Sequence, residues 1–428
     1  MSNKPILVRF RLSLMMFLQY AVWGAWFPLA ARYLSASVEN GGLGFSSQQI
    51  GMILGLAGSI GAVSAPFIAG QIADRYFSTE RVLAFLILVG GLVKWYTAIQ
   101  TTYKSWLLLS ILYSVLYMPT LALSNSITFS HLIDRDRDFP KIRVWGTIGW
   151  IVASWVFAMF WLQKQLGWQW MPPFLVGPEV EGVTSRLADA LAFAGILSII
   201  YAGFCLFLPN TPPKKNATEK LAFKKAFALL QKPNFAVLVL ASLIVSVIHQ
   251  IYFLQAGPFL SHIGLKDSQI GPATTIGQFA EILTMAFLGY FIKRLGFRRV
   301  ITIGTFAYFA RYVVFGMTNL PVWLIVISQA FHGFCYAFFF AAAFIYVDKV
   351  ADEDVRHSAQ TVFGIIILGG GPVLSGFLSG ALKNIYTPEG GDFNFSQFWY
   401  TLAIIGLVAT IFFVYFFRPE AERNSTEA

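Results

Sequence analysis

Charge is what this sequence has least of. Asp, Glu, Lys and Arg make up 12% of the 428 residues, about half the usual share of a soluble domain. Hydrophobic residues make up 57% and aromatic residues 17%, and the mean hydropathy is +0.64. A soluble core of this size cannot bury so many apolar side chains, so a soluble globular protein is excluded and an integral membrane protein is expected. Cysteine is nearly absent. Cys205 and Cys335 both lie in apolar runs, in neither a metal-ligand nor a disulfide spacing, so no metal is expected. Neither H-E-x-x-H nor G-x-S-x-G occurs. No enzyme and no cofactor is therefore expected, and the longest loop leaves no room for a signalling domain. An intramembrane enzyme or a non-transporting receptor is the remote reading. The first apolar stretch runs past Trp26 to about Leu34, too long for the core of a cleavable leader and suited to a first transmembrane helix.

What charge there is has a pattern. The formal net charge is +10, yet the basic residues sit in short loops between apolar runs, and no basic domain could dock on nucleic acid. A spanning helix needs roughly 20 mostly apolar residues. Such segments fall at about 9–34, 48–71, 80–100, 105–131, 141–163, 188–208, 234–261, 269–292, 299–318, 320–348, 357–382 and 396–417. The reading is all-α, with twelve transmembrane helices and both termini on one side. Most of the 31 Lys and Arg, among them Lys4, Arg75, Lys214, Lys215, Arg298 and Arg423, fall on the face shared by the termini. By the positive-inside rule that face is cytoplasmic.

A basic linker, 210–233, divides the chain into an N-terminal half (1–209) and a C-terminal half (234–428), each of six helices. Its centre, Leu221 to Leu230, is amphipathic and suited to lie on an anionic lipid surface. The halves echo each other. GQIADRYFSTERV (Gly70–Val82) follows helix 2, and GYFIKRLGFRRV (Gly289–Val300) follows helix 8. Lys94 and Arg311 fall at nearly equal offsets from these loops, near helix ends where long side chains are expected to snorkel. Duplicated halves of this kind mark transporter folds. With the central basic loop they point to the major facilitator architecture. Gly70, Asp74 and Arg75 fit the G-x-x-x-D-R core of that superfamily's gating loop, while Tyr76-Phe77-Ser78 departs from it. Glycines on helix 2 (Gly55, Gly58, Gly61) and helix 11 (Gly369, Gly370, Gly371) allow close helix contact or sliding. The outer segment Leu166–Ser185, with WQWMPP, is long for this architecture; a cap over the outward mouth is one reading.

Polar residues within the spans are costly unless they work or pair. Glu281, about midway along helix 8 in GQFAEILTM, is the one carboxylate expected deep in the bundle, with Gln278 three residues earlier on the same face. A low-dielectric cavity disfavours its charged form, so a proton taken from one side can be released to the other. A structural ion pair is the plainer reading. Helix 7 carries His249, Gln250 and Gln255; helix 10 carries Gln329, His332 and Tyr336. On helix 5, Arg143, Thr147 and Trp150 place a cation, a hydroxyl and an aromatic plate on one stripe. Arg143 could instead pair with Asp134, Asp136 or Asp138. Gln19, Asn125 and Gln329 could simply bridge helices, and the two histidines could be satisfied core residues. Amides, hydroxyls, imidazoles and aromatics suit a neutral polar cargo. On these residues alone nucleosides and sugars stand level, so a sugar or glycoside symporter remains the alternative.

Several stretches separate the two. FLQYAVWGAW (Phe17–Trp26), YMPTLALSNSI (Tyr117–Ile127), FPKIRVWGTIGW (Phe139–Trp150), QFAEIL (Gln278–Leu283) and VRHSAQ (Val355–Gln360) resemble the bacterial nucleoside:proton symporter family of the major facilitator superfamily. The resemblance implies a proton-coupled importer of the inner membrane that works as a monomer by alternating access, with the proton gradient as energy source. It implies substrate contacts from Arg143, Thr147, Gln250, Gln278 and Glu281. Trp150 and Tyr336 stand where the family has aromatics, and His332 where a Tyr can occur. Two positions depart: Phe253 replaces an Asn and Ala337 an Asp, which removes polar contacts expected to face ribose or base.

Overall fold

The structure, a computed structural model, describes residues 4–68, 77–212, 229–351, 356–389 and 391–418. Asp74 and Arg75 of the expected gating loop, Lys214 and Lys215 with most of the basic linker, Val355 and Arg423 lie outside the described residues. Among the described residues the chain is almost wholly helical, and its spans are numbered in chain order. In the first half they are α1 (Ile6–Ser35), α2 (Ser47–Ala65), α3 (Thr79–Ala98), α4 (Tyr103–Ser130), α5 (Asp138–Trp161) and α6 (Val183–Cys205). Then come α7 (Pro233–His262), one continuous stretch Asp267–Gly316, α10 (Val322–Val350), α11 (Val362–Ile385) and α12 (Phe395–Phe416).

The count of twelve rests on that continuous stretch. Fifty residues of straight helix would run about 75 Å, against a hydrocarbon core of roughly 30 Å. The helix is broken at Gly296, whose φ of 77° lies in a region open chiefly to glycine. Packing shows that the chain doubles back there. Gly277 lies against His332, and Gly304 against Phe338 and Phe339. His332 and Phe339 are about 10 Å apart along α10, whereas Gly277 and Gly304 would be about 40 Å apart on an unbroken helix. The two limbs are α8 (267–295) and α9 (297–316), so the separate helices 8 and 9 read from the sequence are present.

By proximity the chain forms two units: residues 1–218 with 254–273, and residues 219–253 with 274–428. In the first, α1 packs on α5 and α6, and α3 lies between α4 and α6. Close approach is enforced by small residues. A Cβ on Gly149 would stand 2.1 Å from the Phe17 carbonyl oxygen, and one on Gly61 2.5 Å from that of Ser114. Gly58, in contrast, faces open space. In the second unit, α9 packs on α12, α8 and α9 pack on α10, and Gly371 of α11 lies against Ser246 of α7. Many large apolar residues stay exposed, such as Phe160, Leu108 and Phe377, as helices facing lipid require.

The segment between α5 and α6 is a compact hairpin rather than a loose loop. Gln163 pairs with Glu179 and Trp168 with Leu175 across it, and Trp168 stacks on Phe174 at 5.7 Å. Its far side holds the start of α8. Glu179 accepts a hydrogen bond from the Ser268 amide at 2.7 Å, and the Gln269 side chain donates to the Leu175 carbonyl. Asp267 completes the anchorage, accepting from Arg32 Nε and Thr184 Oγ1, each at 2.7 Å.

Candidate functional site

Most of the candidate residues gather in two side-chain clusters, one in each unit. In the first, Arg143 lies one turn into α5 with its guanidinium 4.0 Å over the Tyr20 ring of α1. Asp138, one of its three expected acid partners, pairs instead with Arg9. Four residues on, Thr147 is half-buried on the same stripe. Next on the stripe is Trp150, edge-on to Trp23 at 5.6 Å and to Phe27 at 6.1 Å. Gly24 makes room for it: a Cβ there would stand 2.6 Å from the Trp150 Cα. Beneath this aromatic wall Gln19 is fully buried and bridges helices, donating to Thr120 at 2.8 Å and accepting from Tyr201 at 3.0 Å. That is the structural role open to it from the sequence.

The second cluster is built around Glu281. His332 of α10 brings Nε2 to 4.0 Å from the Glu281 carboxylate. Its other nitrogen, Nδ1, is 3.2 Å from Nη1 of Arg311, and Nη2 of the same guanidinium donates to Gln329 at 2.5 Å. A guanidinium can only donate. Nδ1 of His332 is therefore the acceptor, and in the neutral ring the proton sits on Nε2, turned toward Glu281. The 4.0 Å gap is too long for a direct hydrogen bond and of a length that a water or a ligand hydroxyl bridges. His249 of α7 stacks on His332 at 5.3 Å and accepts or donates to the Tyr308 hydroxyl at 2.7 Å. Tyr336 follows His332 at 6.5 Å, ring planes 21° apart. It is the second residue of a π-helical turn, Cys335–Ala341, a feature that recurs at functional positions.

Packing holds this group in place. Gly277 lies against His332, and a Cβ on Gly333 would stand 2.5 Å from the Ala280 backbone and 2.7 Å from the Glu281 nitrogen. Gln278 is buried, and its Oε1 has no hydrogen-bond partner among the described residues. Such an orphan acceptor calls for a partner from outside the chain. Gln250 is half-buried on α7. Phe253, at a departure from the family pattern, packs edge-on to His249 at 5.3 Å and to His332 at 5.9 Å, and Ala337, at the other departure, is fully buried.

Lys94 and Arg311 do not snorkel. Both are buried, 1% and 0% exposed. Arg311 lies 3.7 Å over Tyr252, and Lys94 lies 3.5 Å over Trp26 and 3.9 Å over Tyr113. Position along a helix predicts depth in the membrane but not the direction faced, and both cations face inward, where aromatic faces replace water. One signal was available for Arg311. Tyr308, Tyr312 and Phe315 surround it on its own helix, all fully buried, and an aromatic face around a cation marks an inward one.

Membrane-spanning helices with buried polar clusters are those of a secondary transporter of the major facilitator fold. The nucleoside H+ symporter family model matches residues 6–422, and the chain belongs to that family. It is 34% identical over 427 residues to the putative nucleoside transporter YegT of Escherichia coli (strain K12), covering 96% of this chain and 94% of that one. With the nucleoside permease NupG of the same organism it shares 28% over 439 residues, 98% of each. The crystal structure of NupG superposes with a TM-score of 0.80, at 26% identity over 96% of this chain and all of the other.

Proposed function

We propose that the protein is a proton-coupled secondary active transporter that imports nucleosides by alternating access, with Glu281 as the coupling carboxylate. The observation that carries the reading is the setting of Glu281, faced by an imidazole N–H whose tautomer Arg311 selects. A carboxylate so placed can hold a proton in one phase of the cycle and draw on the His332 N–H in the other. Gln278 supplies an acceptor that lacks a partner, suited to a sugar hydroxyl or a base N–H. Arg143, Thr147 and Gln250 add hydrogen bonds, and Trp150, Tyr336 and His332 offer ring faces on which a base stacks. Relatives named as nucleoside transporter and nucleoside permease support this cargo.

The energy source in this reading is the proton gradient alone, with no cofactor and no chemical conversion of the cargo. The protein acts as a monomer in the lipid of the bacterial inner membrane, both termini cytoplasmic, as the Lys and Arg bias supports. Asp74 and Arg75 act in the gating loop. The test is uptake of labelled uridine and adenosine into proteoliposomes under an inward proton gradient, challenged with unlabelled nucleosides and with sugars. Competition by nucleosides alone is expected. Competition by sugars alone would overturn the nucleoside reading in favour of a glycoside.

A further inference from the structure

The two units carry a buried cation at matching places. Arg311 of α9 lies over Tyr252 of α7 and beside Gln329 and His332 of α10. Lys94 of α3 lies over Trp26 of α1 and Tyr113 of α4. The first, third and fourth helices of each half thus enclose one cation. Its chemistry differs between them. The guanidinium is permanently charged and has hydrogen-bond partners; the ammonium is a point charge that can give up a proton. Among the described residues the Lys94 ammonium meets the ring faces of Trp26 and Tyr113 and is in no ion pair.

The surroundings of Lys94 are under-satisfied in a second way. The Trp26 Nε1 and the Tyr113 hydroxyl are buried in the same cage with no hydrogen-bonding partner but each other among the described residues. Trp26 sits at a break in α1, between Lys4–Gly24 and Phe27–Ser35, where Pro28 starts the second piece. Among the described residues, three polar groups with no partner beyond one another therefore meet at the break between the two pieces of α1. The titratable groups around them are phenols. Tyr113 stacks on Tyr117 at 5.2 Å, and the Tyr117 hydroxyl donates a hydrogen bond to the Gln19 backbone carbonyl. On α6, Tyr201 is bound to Gln19, Cys205 is buried, and Asp189 accepts from Trp161 at 2.8 Å. An ammonium is retained in such a cage only while water reaches it, and an amine fits the cage when dry.

We propose that Lys94 is a second proton carrier of the transport cycle, loading when water enters its aromatic cage and unloading when the cage is dry. In the unloading step one Nζ–H bond breaks, the electron pair stays on nitrogen, and the proton passes to the departing water. Reloading draws a proton from water on the side of higher proton concentration. This rests on the proton-coupled reading above.

The discriminating variant is Lys94→Arg, which keeps the cation and its contact with the rings but holds its proton. Purified protein is first titrated by Trp26 emission, taken as the difference from the Trp26→Phe variant. A pH step is expected that is missing in Lys94→Arg, and a trace equally flat in both would overturn the proposal. Gradient-driven nucleoside accumulation by Lys94→Arg is expected to fall about tenfold or more, with nucleoside affinity kept within about threefold. Wild-type accumulation and pH profile in that variant would also overturn it. If Lys94→Arg does not fold, Lys94→Met takes its place: loss of the pH step with nucleoside exchange retained supports the proposal, and an unchanged step overturns it. A wild type that shows the Trp26 step yet carries no nucleoside would overturn the cargo reading and leave the proton carrier standing.

Discussion

Asp267 offers the sharpest energetic test of how the first unit is held together. Its two carboxylate oxygens accept from Arg32 and Thr184, each at 2.7 Å, and its side chain is 4% exposed while that of Arg32 is 20% exposed. An exposed ion pair contributes about 0–1 kcal/mol. A hydrogen bond to a charged group with little solvent contact contributes about 1.5–3 kcal/mol. Asp267→Asn keeps one acceptor but removes the charge, so one such bond and most of the attraction to Arg32 are lost. It also removes an acid from the first turn of α8, where the helix dipole favours it by about 0.3–1 kcal/mol. The expected loss is about 2–4 kcal/mol. Arg32→Gln should cost about 1.5–3 kcal/mol. The double variant should cost little more than the worse single one, because both break the same bond. The assay is a double-mutant cycle by equilibrium unfolding in lipid–detergent micelles. A coupling energy under about 0.5 kcal/mol, the range in which independent sites simply add, would refute the account of this anchorage.

Three further outcomes follow, two from the second unit and one from the first. Gly333→Ala should push α10 away from the backbone at Ala280 and Glu281, costing about 1–3 kcal/mol in thermal stability and most of the uptake. Gln278→Leu removes an acceptor that is buried without a partner. Stability should hold or rise while nucleoside affinity measured by calorimetry falls about tenfold, or 1.4 kcal/mol. At the exposed pair Lys164–Glu181, 3.0 Å apart, the hydrogen bond from Lys164 and then its charge hold the Glu181 carboxyl below its usual range. The folded-state value is lowered, so any stabilisation is present above the ordinary Glu range and lost as pH falls through it. Salt screens such a pair, and Lys164→Met should leave the melting temperature at neutral pH nearly unchanged.

The fold was largely legible because hydropathy over spans of about 20 residues is a strong signal. Even the fused α8 and α9 read as two helices, since the charged stretch Lys293 to Arg299 around Gly296 interrupts the apolar runs. The hairpin between α5 and α6 was not legible. Its form depends on Glu179 and Leu175 meeting partners far away in sequence, and Ser268 and Gln269 gave no sign of being those partners. At the candidate site, residue types and helical stripes picked out Glu281, Gln278, His332 and Trp150, but not what surrounds them. Arg311 and Lys94 were assigned to the membrane ends because nothing local states which way a helix faces. Gly277 and Gly333, which set the α8–α10 approach, were passed over for richer glycine runs such as 369–371. A single glycine matters by what stands opposite it, and that is a property of the tertiary fold.

The central claim is that Glu281 couples nucleoside movement to the proton. Labelled uridine and adenosine uptake into proteoliposomes, with an inward proton gradient and with that gradient collapsed, tests it most directly when wild type is run beside Glu281→Gln. The account predicts gradient-driven accumulation by wild type and none by the variant. Accumulation of nucleoside against its gradient by Glu281→Gln would contradict it.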